Sequence, residues 1–219
     1  MSPSQADKAQ RFVELHARPG AFVIPNPRDV GTARVLAGLG FEALATTSAG
    51  MAFSLGRRDG QVSRDEALDH ARTIVGATPL PVSADLENCF GDAPETVAET
   101  ITMAAGVGLA GGSIEDATGR PDRPIYERAH AIERVAAAVE AARSRPCPFV
   151  LTARAENFLH GRPDLDDTIE RLAAFEAAGA DVLYAAGLRD LETIRQVCNL
   201  SSERCLSGGP GRACPAPLA

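Results

Sequence analysis

Tryptophan is absent from this 219-residue chain, and aromatic residues make up only 5% of it. Small residues, alanine above all, fill the space instead, which suits close helix–strand contacts. No apolar run approaches the roughly 18 residues that a membrane-spanning helix needs, so a membrane is excluded as a partner. The opening stretch, MSPSQADKAQRF, has no apolar core of the kind a secretory leader carries, and the expected location is the cytoplasm. Positive charge is in deficit, with 22 Lys and Arg against 29 Asp and Glu, a net charge of -7. Nucleic acid is therefore excluded as the main partner, because phosphate binding needs clustered cations. The five cysteines (89, 147, 198, 205 and 214) have no close metal-ligand spacing, and an odd number in a cytoplasmic chain reads as free thiols.

What is present alternates. Short β-prone runs occur at Ala21–Pro27, Ala43–Ser48, Pro81–Glu87, Leu109–Glu115, Phe149–Glu156 and Asp181–Ala186. Between them the spacing predicts helices at Arg28–Gly38, Ser63–Val75, Pro94–Ala105, Ile125–Ser144 and Leu165–Ala178. Ser63 with Glu66 three residues on reads as a capping box, and Pro94 as a first-turn proline. Gly38, Gly106 and Gly179 recur where a helix gives way to a strand, as left-handed C-caps do. About six βα units in series imply a parallel sheet, because parallel strands need crossovers. The expected fold is α/β, a TIM-like (β/α) barrel over residues 1–198, incomplete because closure takes eight units. Residues 199–219, rich in Gly, Pro, Ser and Cys, read as an irregular tail, and as a truncated or altered barrel end.

Polar groups gather near the carboxyl ends of the predicted strands: Ser48, Asp85 with Glu87, Glu115 with Asp116, and Arg154 with Glu156. In a barrel these ends share one face, where active sites form. Asp85 and Glu87, two apart on a strand, are expected to face the same way. With Glu115 they form a carboxylate cluster that a hard cation would relieve. Mg²⁺ suits it, taking oxygen ligands and keeping several waters; pairing with Arg154 or helix capping is the alternative. Arg154 sits in the apolar run FVLTARAE, a costly position unless it is paired. Its fork fits a substrate carboxylate or phosphonate, and a buried salt bridge to Glu156 or Glu115 is the alternative. Thr47, Ser48, Ala49 and Gly50 are small enough for backbone N–H groups to cradle an anion, and Asp59 follows in a turn.

The motifs IPNPRDVGTAR, TTSAGMAFSLGRRDG, PVSADLENCFGD, GGSIEDATG and LTARAENF occur in that order from about residue 20 to 198. As a set they resemble the isocitrate lyase/phosphoenolpyruvate mutase superfamily, and most closely its 2-methylisocitrate-lyase-related and phosphonomutase-like members. The resemblance implies a Mg²⁺-dependent barrel enzyme, a carbon–carbon lyase working through a pyruvate-enolate-like intermediate on a small 2-oxo or 2-hydroxy carboxylate. It also implies homo-oligomers that exchange their last helix. By motif, Asp85 resembles the direct metal ligand, Glu87 and Glu115 (joined by Asp59) the acids holding metal-bound waters, and Arg154 the substrate-carboxylate binder. The TTSAG segment resembles the loop that holds the substrate's oxygens. After Glu115-Asp116, however, the chain reads ATGRPDRP, without the Cys and His of the lyase loop or the Lys of the mutases. A phosphonomutase or phosphonopyruvate hydrolase is the alternative enzyme, and an inactive paralogue the alternative to an enzyme.

Overall fold

A computed structural model of the chain describes residues 3–200, 205–207 and 212–213. Seven strands form one sheet in chain order: β1 (Leu44–Ala45), β2 (Val82–Asp85), β3 (Gly111–Glu115), β4 (Val150–Ala155), β5 (Val182–Ala185), β6 (Cys205–Ser207) and β7 (Arg212–Ala213). Strands β1 to β6 pair in parallel, and β7 returns antiparallel to β6. The architecture is an incomplete, TIM-like (β/α) barrel.

Eight helices accompany these strands among the described residues: α1 (Gln5–Ala17), α2 (Val30–Gly38), α3 (Ser48–Ser54), α4 (Arg64–Ala77), α5 (Pro94–Gly106), α6 (Arg128–Arg143), α7 (Leu165–Ala177) and α8 (Leu191–Leu200). The five helices expected from spacing are α2 and α4 to α7. Ser63 and Glu66 make the reciprocal capping box at α4, and Pro94 opens α5. Three helices were not expected. At α1, Ser4 and Asp7 form another capping box, and Phe12 and Leu15 supply the buried face. At α8, Asp190 accepts from the Thr193 N–H at 2.8 Å.

Two expectations about strands need correction. The Ala21–Pro27 run forms no strand, because Pro25 and Pro27 have no N–H to give a ladder. It contributes two edge contacts to β1, the Ala45 N–H donating to the Pro25 carbonyl and the Asn26 side-chain amide donating to the Ala45 carbonyl, each at 3.1 Å. Conversely, the tail read as irregular supplies β6, whose Leu206 lies in register with Tyr184 of β5. Six parallel strands result, but from a different set of segments. The remaining tail positions lie outside the described residues. The free-thiol expectation holds for Cys89 and Cys147, whereas Cys198 is disulfide-bonded.

The main core lies between sheet and helices, built from Leu44, Val82, Leu86, Ile101, Ile114, Leu151, Phe175 and their neighbours. A second cluster closes the end of the barrel where the strands begin: Phe12 and Leu15 of α1 pack on Ala43, Ala110, Val150 and Val182. Gly111 makes this fit possible. A Cβ there would lie 2.6 Å from the Val150 carbonyl oxygen and 2.9 Å from the Phe12 ring. With its amino end plugged in this way, the barrel is left open where the strands end.

Candidate active site

Strand register brings the predicted groups together. Glu115 of β3 is the register partner of Arg154 of β4, and Arg154 that of Tyr184 of β5. Partners in a parallel ladder point to the same face, so Glu115, Arg154 and Tyr184 share the barrel interior. Asp85 ends β2 beside them. Its Oδ1 lies 3.4 Å from Arg154 Nη1, and its Oδ2 accepts from the Ser48 N–H at 3.1 Å and the Ser48 hydroxyl at 2.9 Å. Arg154 is the hub. It contacts Glu156 at 2.8 Å, Asp85 at 3.4 Å and Glu115 at 3.6 Å, and its guanidinium lies 5.0 Å from the Tyr184 ring centre. The buried pairing considered for Arg154 is thus present in the structure.

Next along β3, Asp116 points to the opposite side, where it is buried. It accepts from the Glu156 N–H at 2.8 Å and from Arg171 at 3.1 Å. Arg171 also bonds Asp167 and the Tyr126 carbonyl. This buried network fixes the backbone of Glu156, and with it one side of Arg154. Sequence reading named Asp116 without a role and missed Arg171, whose only signal was an Arg on the apolar face of α7.

Glu87 departs from expectation. The strand stops at Asp85, and Glu87 has a left-handed backbone with φ +50°, followed by Cys89 at +59° and Phe90 at +60°. The two acids do not repeat along one strand face; a turn carries Glu87 instead. Each such non-glycine residue costs on the order of 1 kcal/mol or more and persists only where its surroundings enforce it. The turn places Glu87 on the wall of a cavity of about 630 Å³, together with Asp59, Asn88, Glu115, Thr118 and Gly119. A narrower space beside it is lined by Thr46, Thr47, Ser48, Asp85 and Glu87. Asp59 is exposed in its turn, yet near enough to Glu87 to act on its charge.

Thr47–Gly50 is also corrected. It is not a loop but the start of α3, with Thr47 as N-cap. The Gly50 N–H donates to Thr47 Oγ1 and the Ser48 N–H to Asp85. Two of the expected anion donors are therefore already engaged.

Charge in the site is unbalanced: four acids (Asp85, Glu87, Glu115, Glu156) face one arginine. Burial, then the charges of Asp59 and Asp85, push Glu87 up to about 7. Burial raises Glu115 well above the usual carboxylate range; Arg154 opposes the rise, and Glu156, Asp85 and Glu87 add to it. The donors available to a cation are all oxygens, the set a hard ion such as Mg²⁺ prefers. Among the described residues, however, no three such side chains converge tightly enough to bind a metal directly. Oxygen donors spread out in this way suit an ion that keeps most of its waters. Cys89 is unsuited to chemistry. It is fully buried, and burial pushes its thiol up to about 12. His160 is exposed, whereas His130 is half-buried, with its ring edge-on to Tyr126 and its Nε2 3.0 Å from the Asp92 carbonyl.

The geometry defines a barrel whose acidic strand ends surround one arginine, and comparison with known proteins identifies the lineage. The phosphoenolpyruvate phosphomutase family model matches residues 12–208, and the chain belongs to this family, within the isocitrate lyase/PEP mutase superfamily. Over 170 residues it is 31% identical to 2-methylisocitrate lyase of Salmonella typhimurium, an alignment covering 74% of this chain and 56% of that enzyme. The chain spans a little over half the length of the first curated relatives it matches. A provisionally assigned lyase/mutase of Burkholderia cenocepacia J2315 superposes with a TM-score of 0.91 at 62% identity, over 93% of this chain and 73% of that one. Oxaloacetate acetylhydrolase in complex with its product oxalate gives a TM-score of 0.83 at 30% identity, over 93% and 71%. Among the described residues no helix is long and apolar enough to cross a membrane.

Proposed function

We propose that this site serves a Mg²⁺-dependent carbon–carbon lyase acting on a small 2-oxo or 2-hydroxy carboxylate, in the cytoplasm and as a homo-oligomer. One observation carries the reading: Asp85, Glu115 and Arg154, from three successive strands, meet beside the cavity that Glu87 and Asp59 also line. Cleavage next to a 2-oxo group leaves an enolate, and a bound Mg²⁺ supplies Lewis-acid stabilisation of its oxygen. Asp85 holds the ion directly, while Glu87, Glu115 and Asp59 hold its waters. Arg154 receives the substrate carboxylate through the donors that now sit at 3.4 and 3.6 Å from Asp85 and Glu115. Thr47, Ser48, Ala49 and Gly50 form the small-residue wall against which that carboxylate lies. Glu115, raised well above the usual carboxylate range by its burial, stands at the cavity wall. The hairpin after Asp116, closed by the Ala117–Ile125 bridge, brings no Cys or His acid/base of its own.

The test is a melting-temperature shift with Mg²⁺ plus oxalate, an enolate mimic, since a ligand that binds only the folded state must stabilise it. Wild type should shift, Asp85→Ala should not, and Arg154→Lys should shift less because lysine lacks the planar fork. Equal oxalate affinity in all three rules the assignment out. Lyase activity is then read as Mg²⁺-dependent pyruvate release from oxaloacetate or isocitrate analogues. The family's own name favours a second reading, a phosphonomutase or phosphonopyruvate hydrolase, marked by conversion of phosphonopyruvate without C–C cleavage.

A further inference from the structure

Arg134, in the middle of α6, is 1% exposed and heads the fully buried side chains by size. A buried guanidinium is tolerated only when its donors are used, and no carboxylate takes them here. The Asp92 carboxylate is engaged by the Tyr126 hydroxyl and by Arg120. Arg134 donates instead to three backbone carbonyls: Asn88 at 2.5 Å, Gly91 at 2.5 Å and Asp92 at 2.8 Å. Its flat face lies 4.2 Å from the centre of the Tyr126 ring, and Asn88 reaches the Tyr126 hydroxyl at 3.4 Å. These carbonyls belong to the turn whose left-handed residues begin at Glu87. The Glu87 carbonyl in turn accepts from the Glu115 N–H at 3.0 Å. The hydrogen bonds of Arg134 therefore all fall on the turn that follows Glu87, and Arg134 itself does not line the cavity.

We infer that Arg134 is a positioning residue, which clamps the Asn88–Asp92 turn from behind with Tyr126 and so aims the Glu87 carboxylate into the cavity. The aiming rests on the function proposed above; the clamp rests on the contacts alone. Hydrogen exchange on the full chain reads the clamp, and the Mg²⁺ midpoint of oxalate binding, taken well below each variant's melting temperature, reads the aim. Lysine cannot span three carbonyls, so in Arg134→Lys exchange at Cys89 and Phe90 should rise about tenfold, the response to about 1.4 kcal/mol. Tyr126→Phe keeps the ring and loses only the hydroxyl, a milder change that keeps the test open if the lysine variant fails to fold; exchange there should rise about fivefold. Amides of β3 and β4 should be unchanged in both. The Mg²⁺ midpoint of the folded variants should rise about tenfold, as loss of a group that orients a ligand does. Turn exchange unmoved in both variants overturns the clamp. A general rise across the strands, or an unmoved Mg²⁺ midpoint, reduces Arg134 to a packing residue and overturns the inference. A wild-type chain without Mg²⁺-dependent oxalate binding overturns the functional reading and the aiming with it, and leaves turn exchange to judge the clamp.

Discussion

Glu87→Gln isolates the electrostatic cost built into the site. In the folded chain the Glu87 carboxyl titrates at about 7 instead of 4.5, because burial and the charges of Asp59 and Asp85 disfavour its ionised form. Below pH 4.5 the group is protonated both folded and unfolded, and it costs nothing. Between 4.5 and 7 the unfolded chain releases the proton while the folded chain keeps it, so stability falls as pH rises; above 7 the loss is complete. At 1.36 kcal/mol per pH unit the difference corresponds to about 3 kcal/mol. Glu87 is only half-buried, and solvent screening brings the figure to about 1–2 kcal/mol. Glutamine keeps the shape and removes the charge. Its melting temperature should match wild type at pH 4 and exceed it at pH 8 by about 2–8 °C, at about 2–4 °C per kcal/mol for a chain of this size. Differential scanning calorimetry across that range measures it, without added divalent ions. A difference that does not change with pH, or a variant less stable than wild type at pH 8, refutes the reasoning.

Gly111→Ala drives a methyl into the Val150 carbonyl and the Phe12 ring; overpacking of this kind costs about 1–3 kcal/mol, visible as a lower urea midpoint with the m-value unchanged. Thiol labelling of the folded chain at pH 8 should modify the half-buried Cys147 and spare Cys89, which is fully buried with its thiol held near 12; labelling of Cys89 at the rate of Cys147 contradicts that burial. Binding of Mg²⁺ with oxalate at pH 6.5 should release protons, because Glu87, pushed up to about 7, largely holds one in the metal-free chain; calorimetry in buffers of different ionisation enthalpy counts them, and a heat independent of buffer removes the link.

The parts of this molecule governed by local rules were legible in its sequence. The capping box at Ser63 and the first-turn proline at Pro94 need nothing beyond their own helices, and both form as expected. Asp85, Glu115 and Arg154 were legible because a parallel barrel gathers the carboxyl ends of its strands on one face, so charged residues ending apolar runs converge there. Two of the failures share a cause, which is that tertiary context decided the local conformation; the third is local. Glu87 reads as the next outward position of a strand. Its turn is left-handed instead, and an arginine 47 positions along the chain takes up three carbonyls there. Thr47–Gly50 has the composition of a loop, yet Asp85 of the neighbouring strand accepts the Ser48 N–H and Thr47 caps what becomes α3. The Pro25 segment has strand-like side chains but lacks the N–H groups a ladder requires.

The charge distribution connects the fold to the proposed chemistry. Four carboxyl groups stand around Arg154, and with all four ionised the strand ends would repel any acid substrate. The chain relieves this in two ways. Arg154 is braced on Glu156, whose backbone is tied to the buried Asp116 and through it to Arg171, so one acid is permanently matched. Glu87 is left unmatched, and burial pushes it up to about 7; Glu115 has only the longer 3.6 Å contact with Arg154, and burial raises it well above the usual carboxylate range. A divalent cation arriving with its waters displaces protons so retained; the net charge changes little, but positive charge is now concentrated where an incoming carboxylate meets it. On the proposed reading, substrate affinity is therefore conditional on the ion. The acids do more than hold the metal: they occupy the donors of Arg154, the guanidinium that is to receive the substrate carboxylate, until an ion draws them away.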